Sequence, residues 1–304
     1  MPTADGGFLI FGETRSFGAG ERDLYLLQID EGGDVLWEQT FGGPGDEGGF
    51  TFSPTADGGY VLAGQTASFG AGGLDVYLVK TDAQGNELWS QTYGSEMDEV
   101  GHAAVELPGG GFLVLAVLLH EGQGYLAMNP DVYLVRTDES GKPLWTQVWE
   151  EPGTQGAFNM LPTSDGHYLI IGLRCDTGSD VGTDPLFLKV DAEVNVVWDQ
   201  AIGEANVMDY GTDVIETADG GYLLTGMALP SGRGGIPLVR LDGNGQVLWR
   251  KYLSTERGNR AGLRILEVPT GGYLIIAITG AVSDGGQGLY TILIKTDAEG
   301  NVVE

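Results

Sequence analysis

Thr55-Ala56-Asp57-Gly58-Gly59-Tyr60-Val61-Leu62-Ala63-Gly64 runs on to Asp75-Val76-Tyr77-Leu78-Val79-Lys80-Thr81-Asp82 and closes with Gly85-Asn86-Glu87-Leu88-Trp89. This stretch decides the fold. Asp-Gly-Gly offers the positive φ that a tight hairpin needs. The runs on either side are β-branched and aromatic, as strands are, and Asp82 to Asn86 reads as a second turn. The pattern returns at Asp5-Gly6-Gly7-Phe8, Gly109-Gly110-Gly111-Phe112, Asp165-Gly166-His167-Tyr168, Asp219-Gly220-Gly221-Tyr222 and Thr270-Gly271-Gly272-Tyr273, which makes six copies. The closing tryptophans Trp37, Trp89, Trp145, Trp198 and Trp249 are spaced 52, 56, 53 and 51 residues apart, and Val303 stands near that place in the sixth copy.

Each copy divides into four short strands, A to D, exemplified by Thr212–Glu216, Gly221–Gly226, Asp131–Arg136 and Pro143–Gln147. No stretch carries a helical period. Four strands per copy, six times over, predict an all-β fold: a six-bladed β-propeller of four-stranded antiparallel blades, forming one domain over residues 1–304. A β-solenoid fits less well, because its coils are much shorter than this unit. The first copy opens at strand B and the sixth stops early in strand D. Either one blade is incomplete, or the natural protein extends further.

The chain has 304 residues, 52 of them glycine, with 43 acidic against 15 basic residues and a net charge of −28. Such acidity makes nucleic acid and anionic membrane surfaces poor partners. It fits a saline or extracellular setting. The single cysteine, Cys175, rules out an intrachain disulfide, so packing and strand pairing must hold the fold. No apolar run reaches the length of a membrane span, and no signal peptide is recognised. The expectation is an extracellular or cell-surface monomer that does not insert into a membrane.

The units Thr-x-Asp-Gly-Gly-Tyr, Asp-x-Tyr-Leu-Val-Lys-Thr-Asp-x-x-Gly and Leu-x-Trp resemble those of bacterial and archaeal secreted or surface β-propeller repeat proteins, over nearly the whole chain. The segment 78–89 is also similar to the tryptophan-docking blades of PQQ-type propellers. There the Asp and Gly shape the turn and the Trp packs between blades. The resemblance implies that structural role for Trp37, Trp89, Trp145, Trp198 and Trp249. Quinone chemistry is not implied: those enzymes usually have eight blades, and no quinone or calcium site is recognisable here.

Within a four-stranded antiparallel blade, the A–B and C–D turns share one face and the B–C and D–A loops the other. The turns are nearly identical between copies, whereas the loops vary, so binding is expected on the loop face. Scarce basic residues gather there. Arg15 and Arg22 lie in the first B–C loop, Arg174 opens the fourth, Arg233 lies in the fifth, and Arg257 and Arg260 fall in the fifth D–A loop. Arg264 follows in strand A. Arginine forks suit carboxylate, sulfate or phosphate groups. They suit equally well pairing with local acids such as Glu21, Asp176 and Glu256. The third B–C loop, 120–130, is longer than its neighbours and brings Tyr125 and Met128, whose side chains suit stacking on a ligand ring; an ordinary insertion explains it as well.

The D–A loop acids Asp46-Glu47, Asp98-Glu99 and Asp209 have oxygen chemistry suited to calcium. None matches an EF-hand or a nonapeptide calcium repeat, and a repeated turn explains them more simply. No metal or cofactor is therefore assigned. His102, His120 and His167 show no metal-ligand spacing, and no nucleophile–His–Asp set assembles. The sequence thus favours a non-enzymatic binding or scaffold propeller that recognises protein or glycan through the loop face. A carbohydrate-active lyase or hydrolase for acidic sugars, and an engineered or fragmentary repeat with no selected ligand, remain as alternatives.

Overall fold

A computed structural model of the chain describes residues 1–3, 6–120, 130–149, 155–174, 184–202, 208–229, 235–253, 260–268, 271–283 and 286–303. The chain divides into two compact units, Met1–Glu151 and Pro152–Glu304. All regular structure among the described residues is β, and every strand pairing within the sheets is antiparallel.

In the first unit, repeat one contributes β1 (Phe8–Thr14), β2 (Asp23–Ile29) and β3 (Val35–Phe41) in a three-stranded sheet. Repeat two forms a four-stranded sheet of β4 (Glu47–Pro54), β5 (Tyr60–Thr66), β6 (Asp75–Thr81) and β7 (Glu87–Tyr93). Repeat three follows with β8 (Asp98–Glu106), β9 (Phe112–Leu119), β10 (Asp131–Thr137) and β11 (Pro143–Trp149). The second unit has β12 (Gln155–Pro162), β13 (Tyr168–Arg174), β14 (Asp184–Val190) and β15 (Val196–Ala201) in one sheet. Its second sheet joins β16 (Met208–Glu216), β17 (Tyr222–Leu229), β18 (Ile236–Leu241) and β19 (Val247–Leu253) to β20 (Arg260–Glu267), β21 (Tyr273–Ser283) and β22 (Gly286–Thr296). A single pairing, Met227 with Ala261, makes that join.

Strand A of repeat one, for which the sequence shows no source, has a short stub. Pro2 bridges Phe8, and Met1 exchanges hydrogen bonds with Leu9. At the other end Val302 bridges Thr296, the first step of a strand D.

Burial follows strand position. The middle strands β5 and β6 are buried almost throughout, as their continuous Val, Leu and Tyr runs require of strands covered on both faces. Strand D is the exposed edge, with Leu36, Leu88, Leu144 and Leu248 facing out. Strand A packs against the preceding sheet: β8 lies on β4, β5 and β6, and β20 lies on β16, β17 and β18. Within each unit the core therefore fills the space between successive sheets, for example Val61, Leu78, Val114 and Val135 between repeats two and three.

The turns are held by side chains. In repeat two the Asp57 carboxylate accepts from Thr55 Oγ1, from the Gly59 N–H and from buried Lys80, which is 2.8 Å away. The Lys80 and Thr55 bonds hold the Asp57 carboxyl down at about 2. Lys189 with Asp165, and Arg240 with Asp219, repeat this clamp. At the C–D turn, the Trp37 indole lies against Gly85 of the next repeat, Trp89 against Gly141, Trp198 against Gly245 and Trp249 against Gly300. A Cβ at any of these glycines would press into the ring.

Candidate loop-face binding site

Two loops of the first unit are copies of each other. Ser16-Phe17-Gly18-Ala19-Gly20 follows β1, and Ser68-Phe69-Gly70-Ala71-Gly72 follows β5. In the first, Asp23 Oδ2 at the head of β2 accepts hydrogen bonds from the Ala19 and Gly20 N–H groups. In the second, Asp75 at the head of β6 accepts from Ala71 and Gly72. Gly18 and Gly70 have positive φ, and a Cβ at either would collide with that carboxylate. The buried Asp thus winds the loop around itself, and the glycines let it do so.

The loop tips carry exposed aromatics: Phe17 is 49% exposed and Phe69 is 45% exposed. Each ring rests on a tyrosine of the strand beneath. Phe17 meets Tyr25 edge-on at 5.2 Å between centroids, and Phe69 meets Tyr77 at 5.9 Å. Tyr25 is in turn tied through its hydroxyl to Glu38.

The D–A loops bind these tips into one surface. Gly20 packs on Gly43 and Gly45, Gly43 packs on Ser68 and Phe69, and Gly72 packs on the chain at Ser95–Met97. Backbone hydrogen bonds run from Glu21 to Gly45, from Glu47 to Arg22, from Ala67 to Asp46 and from Glu99 to Leu74. The Gly45 N–H donates to Ser68 Oγ at 2.8 Å. The result is a continuous rim of short, cross-bonded loops with two phenylalanines standing out of it.

The arginines expected on the loop face behave differently from one another. Arg22 pairs with Glu13 at 3.0 Å and with Asp46 at 3.5 Å. Arg15 is exposed and makes no ion pair among the described residues. In the second unit Arg174 is half-buried and pairs with Asp199 at 2.7 Å. Tyr125, Arg233 and Arg257 lie outside the described residues, as do Met128, Asp176 and Cys175; Arg260 is placed at the start of β20 by its backbone alone. Of the arginines expected on the loop face, Arg22 is thus held by Glu13 and Asp46, and Arg174 meets Asp199.

All five A strands carry a β-bulge at the same step, and the extra residues are Phe50, His102, Phe158, Thr212 and Leu263. His102 is buried against Phe50 at 4.6 Å, and burial pushes its imidazole down to about 3, so it is neutral. In the second unit the residue after each bulge is polar and the three touch in a row. Asn159 Nδ2 donates to Asp213 Oδ1 at 2.9 Å, the Ile265 N–H donates to Asp213 Oδ2 at 2.9 Å, and Arg264 stands 3.7 Å from Asp213. Burial raises the Asp213 carboxyl to about 6 despite Arg264 and these donors. Among the described residues no three His, Cys, Asp or Glu side chains converge as metal ligands. No helix of the described residues is long and apolar enough to cross a membrane.

Sequence reasoning passed over Phe17, Phe69 and their supporting Asp23 and Asp75. The available signal was the identity of the two Ser-Phe-Gly-Ala-Gly loops, where variable loops were expected.

Compared with solved structures, the chain is similar to an ulvan lyase, described as a new family of polysaccharide lyase, PL25. The match covers 98% of this chain and 78% of the lyase, at 14% identity and a TM-score of 0.61. The same lyase bound to -[GlcA(1-4)Rha3S]- gives a TM-score of 0.60. A puromycin hydrolase variant complexed with PGG is similar over 94% of this chain, at 13% identity and a TM-score of 0.53, and the chain spans 52% of that hydrolase's length. At such identities these likenesses show the fold alone. No curated protein matches the sequence. The PQQ_2 family, described as outer membrane protein assembly factor BamB, matches residues 22–209, more than half of the chain, and the chain belongs to this β-propeller repeat family.

Proposed function

We propose that this chain is a non-enzymatic binding propeller, six-bladed and single-domain, that grips a protein partner through the loop rim around Phe17 and Phe69. The observation that carries this reading is the pair of identical loops, each holding an exposed phenylalanine on a tyrosine and winding around a buried aspartate. A large apolar side chain in water has no stability benefit. Held rigid on a polar rim, it has the form of an interface anchor, because little conformational entropy is left to lose on binding. Membership of a family described by an assembly factor supports a partner-binding role over catalysis. Arg15, two residues before Phe17, is exposed and suits an acidic group on the partner. Six blades follow from six repeats, one of them lacking most of strand A. We place the protein outside the cytoplasm, as a monomer without nucleic-acid partners, in keeping with its charge of −28.

A glycan ligand is the second form of the same reading, since a sugar face can stack on phenylalanine. The acidic-sugar enzyme reading rested on unpaired arginines, and Arg22 and Arg174 are both engaged by carboxylates. Panning a random peptide library and a glycan array against the wild type and against a Phe17→Ser/Phe69→Ser double variant tests the proposal. Both rings are exposed, so the variant should fold normally. Peptides enriched by the wild type and lost by the variant support protein recognition. Glycans lost in the same way support the second form. Equal binding by both proteins, or none by either, would overturn the loop-rim site.

A further inference from the structure

Beneath the two phenylalanine loops the structure repeats a second feature. Asp23 at the head of β2 and Glu47 at the head of β4 are 1% and 0% exposed, and their carboxylates meet at Gly42. A Cβ on Gly42 would overlap both Asp23 Oδ1 and Glu47 Oε2, so only glycine leaves room for the two oxygens. One repeat later Asp75 at the head of β6 and Glu99 in β8 are 1% and 2% exposed and meet at Gly94 in the same way.

The surrounding donors satisfy part of each carboxylate. Glu47 Oε2 accepts from the Gly43 N–H at 3.0 Å and Oε1 from Thr66 Oγ1 at 2.6 Å. Glu99 accepts from the Ser95 N–H at 3.1 Å and from Ser95 Oγ at 2.6 Å. Asp23 Oδ2 is taken up by its loop, but Asp23 Oδ1, the oxygen that faces Glu47, is buried without any partner. No cationic side chain among the described residues pairs with any of the four carboxylates. In the first pair one of two facing buried carboxylates has an orphaned oxygen, whereas in the second Asp75 Oδ1 also accepts from the Ala71 N–H at 3.2 Å; both pairs lack a positive charge.

We infer that each Asp–Glu pair, Asp23 with Glu47 and Asp75 with Glu99, is one half of a buried site for a hard, oxygen-seeking cation, calcium above all. Calcium takes oxygen ligands at ~2.3–2.6 Å, and one ion of that reach bridges two carboxylate oxygens that crowd the same missing Cβ. The site ties the loop carrying the anchor phenylalanine to the next repeat's strand A, so the ion fastens the rim to the sheets below. The residues three before the bulge in repeats four, five and six are Gln155, Asp209 and Arg260, which confines the Asp–Glu arrangement to these two of the five junctions.

The test starts from protein stripped with EDTA and exchanged into choline chloride buffer, titrated with CaCl2 in a calorimeter and followed in parallel by thermal unfolding. The expected result is two calcium ions per chain and a melting temperature that rises with calcium and saturates. Glu47→Gln and Glu99→Gln retain side-chain volume and a hydrogen-bond acceptor. Each should lower the stoichiometry from two to one, and the double variant should lose both binding and thermal response while still unfolding cooperatively. No heat and no thermal response in stripped wild type would overturn the inference. So would a double variant that binds calcium as the wild type does. If Glu47→Gln instead raises the melting temperature without calcium and the wild type ignores the ion, the pair holds a shared proton and the cation site is refuted.

Discussion

The glycines of this chain separate two demands that sequence alone merges. Gly58 and Gly85 both have positive φ, near +85° and +76°. Space differs: nothing stands within 4 Å of a Cβ on Gly58, whereas one on Gly85 meets the Trp37 ring. Gly58→Ala should lower stability by about 1 kcal/mol, the cost of a left-handed alanine. Gly85→Ala should lose that and roughly 1–3 kcal/mol more from overpacking. Denaturant midpoints of the two variants check this, and equal losses would show that the tryptophan yields freely. Val194, at φ 66°, occupies the same turn position in repeat four, the only non-glycine residue with positive φ among those described. Asp213 offers a test of a different kind. Its folded carboxyl lies near 6 against 3.8 unfolded, so the folded state keeps a proton that the unfolded chain releases. Its contribution therefore favours folding most at low pH, weakens as pH rises from about 4 to 6 and stays weak above. Asp213→Asn, with Asn159 turned to accept rather than donate, removes that penalty. Its advantage over wild type should grow across this window to ~1–3 kcal/mol at pH 7. Melting curves at pH 4, 5, 6 and 7 decide, and a constant difference would mean that Arg264 keeps Asp213 charged throughout.

At the scale of the element, the A–B turns of repeats two, four and five are small ionic clamps, and the clamp is missing in repeat three. Asp57, Asp165 and Asp219 each meet a buried cation from strand C. In repeat three Gly109 replaces the aspartate; Arg136 keeps the bond to the Thr137 carbonyl that Lys80 and Arg240 make to Thr81 and Leu241, and it also donates to the Gly110 carbonyl. Arg136 lines a shallow pocket with Gly110, Glu139 and Leu144 where the carboxylate would sit. A Cβ on Gly109 meets nothing within 4 Å and its φ is not positive, so Gly109→Asp should restore the clamp and raise stability by about 1 kcal/mol. A matching gain in an Arg136→Met background would show that the aspartate acts through something other than this pair. The turn and strand positions were legible in the sequence, because Asp, Gly and β-branched residues act locally and recur with the repeat. The clamp was only half legible: Asp57 and Lys80 were visible as parts of the repeat, but their meeting depends on strand register. The same holds for Asp23 with Glu47. Their positions lie on different strands of different sheets, and only the recurrence of both at Asp75 and Glu99 marks them as a pair.

For the whole molecule, charge was read directly and its distribution was not. Composition alone gives 43 acids against 15 bases. It led sequence reasoning to treat the scarce arginines as the informative residues, yet Arg22 and Arg174 are spent on local acids, and the projecting groups of the rim are phenylalanines. Exposure cannot be read from residue type: Phe17 resembles a core residue until the loop beneath it is seen to wind around Asp23. What remains global is self-repulsion. With a net charge of −28, compact states of this chain are destabilised by long-range repulsion that the unfolded chain relaxes by expanding. Raising salt from ~10 mM to ~100 mM shortens the screening length from about 30 Å to about 10 Å, which weakens surface repulsion but leaves buried pairs nearly untouched. The melting temperature should therefore rise over that range, and by the same amount in sodium chloride and choline chloride, because screening depends on ionic strength and not on the ion's identity. Calcium chloride at matched ionic strength should add a further increase that saturates, and Glu47→Gln/Glu99→Gln should erase the addition while keeping the common rise. A response to salt that is flat or negative would mean that the acids are dispersed enough, or paired well enough locally, for net charge to have no hold on stability.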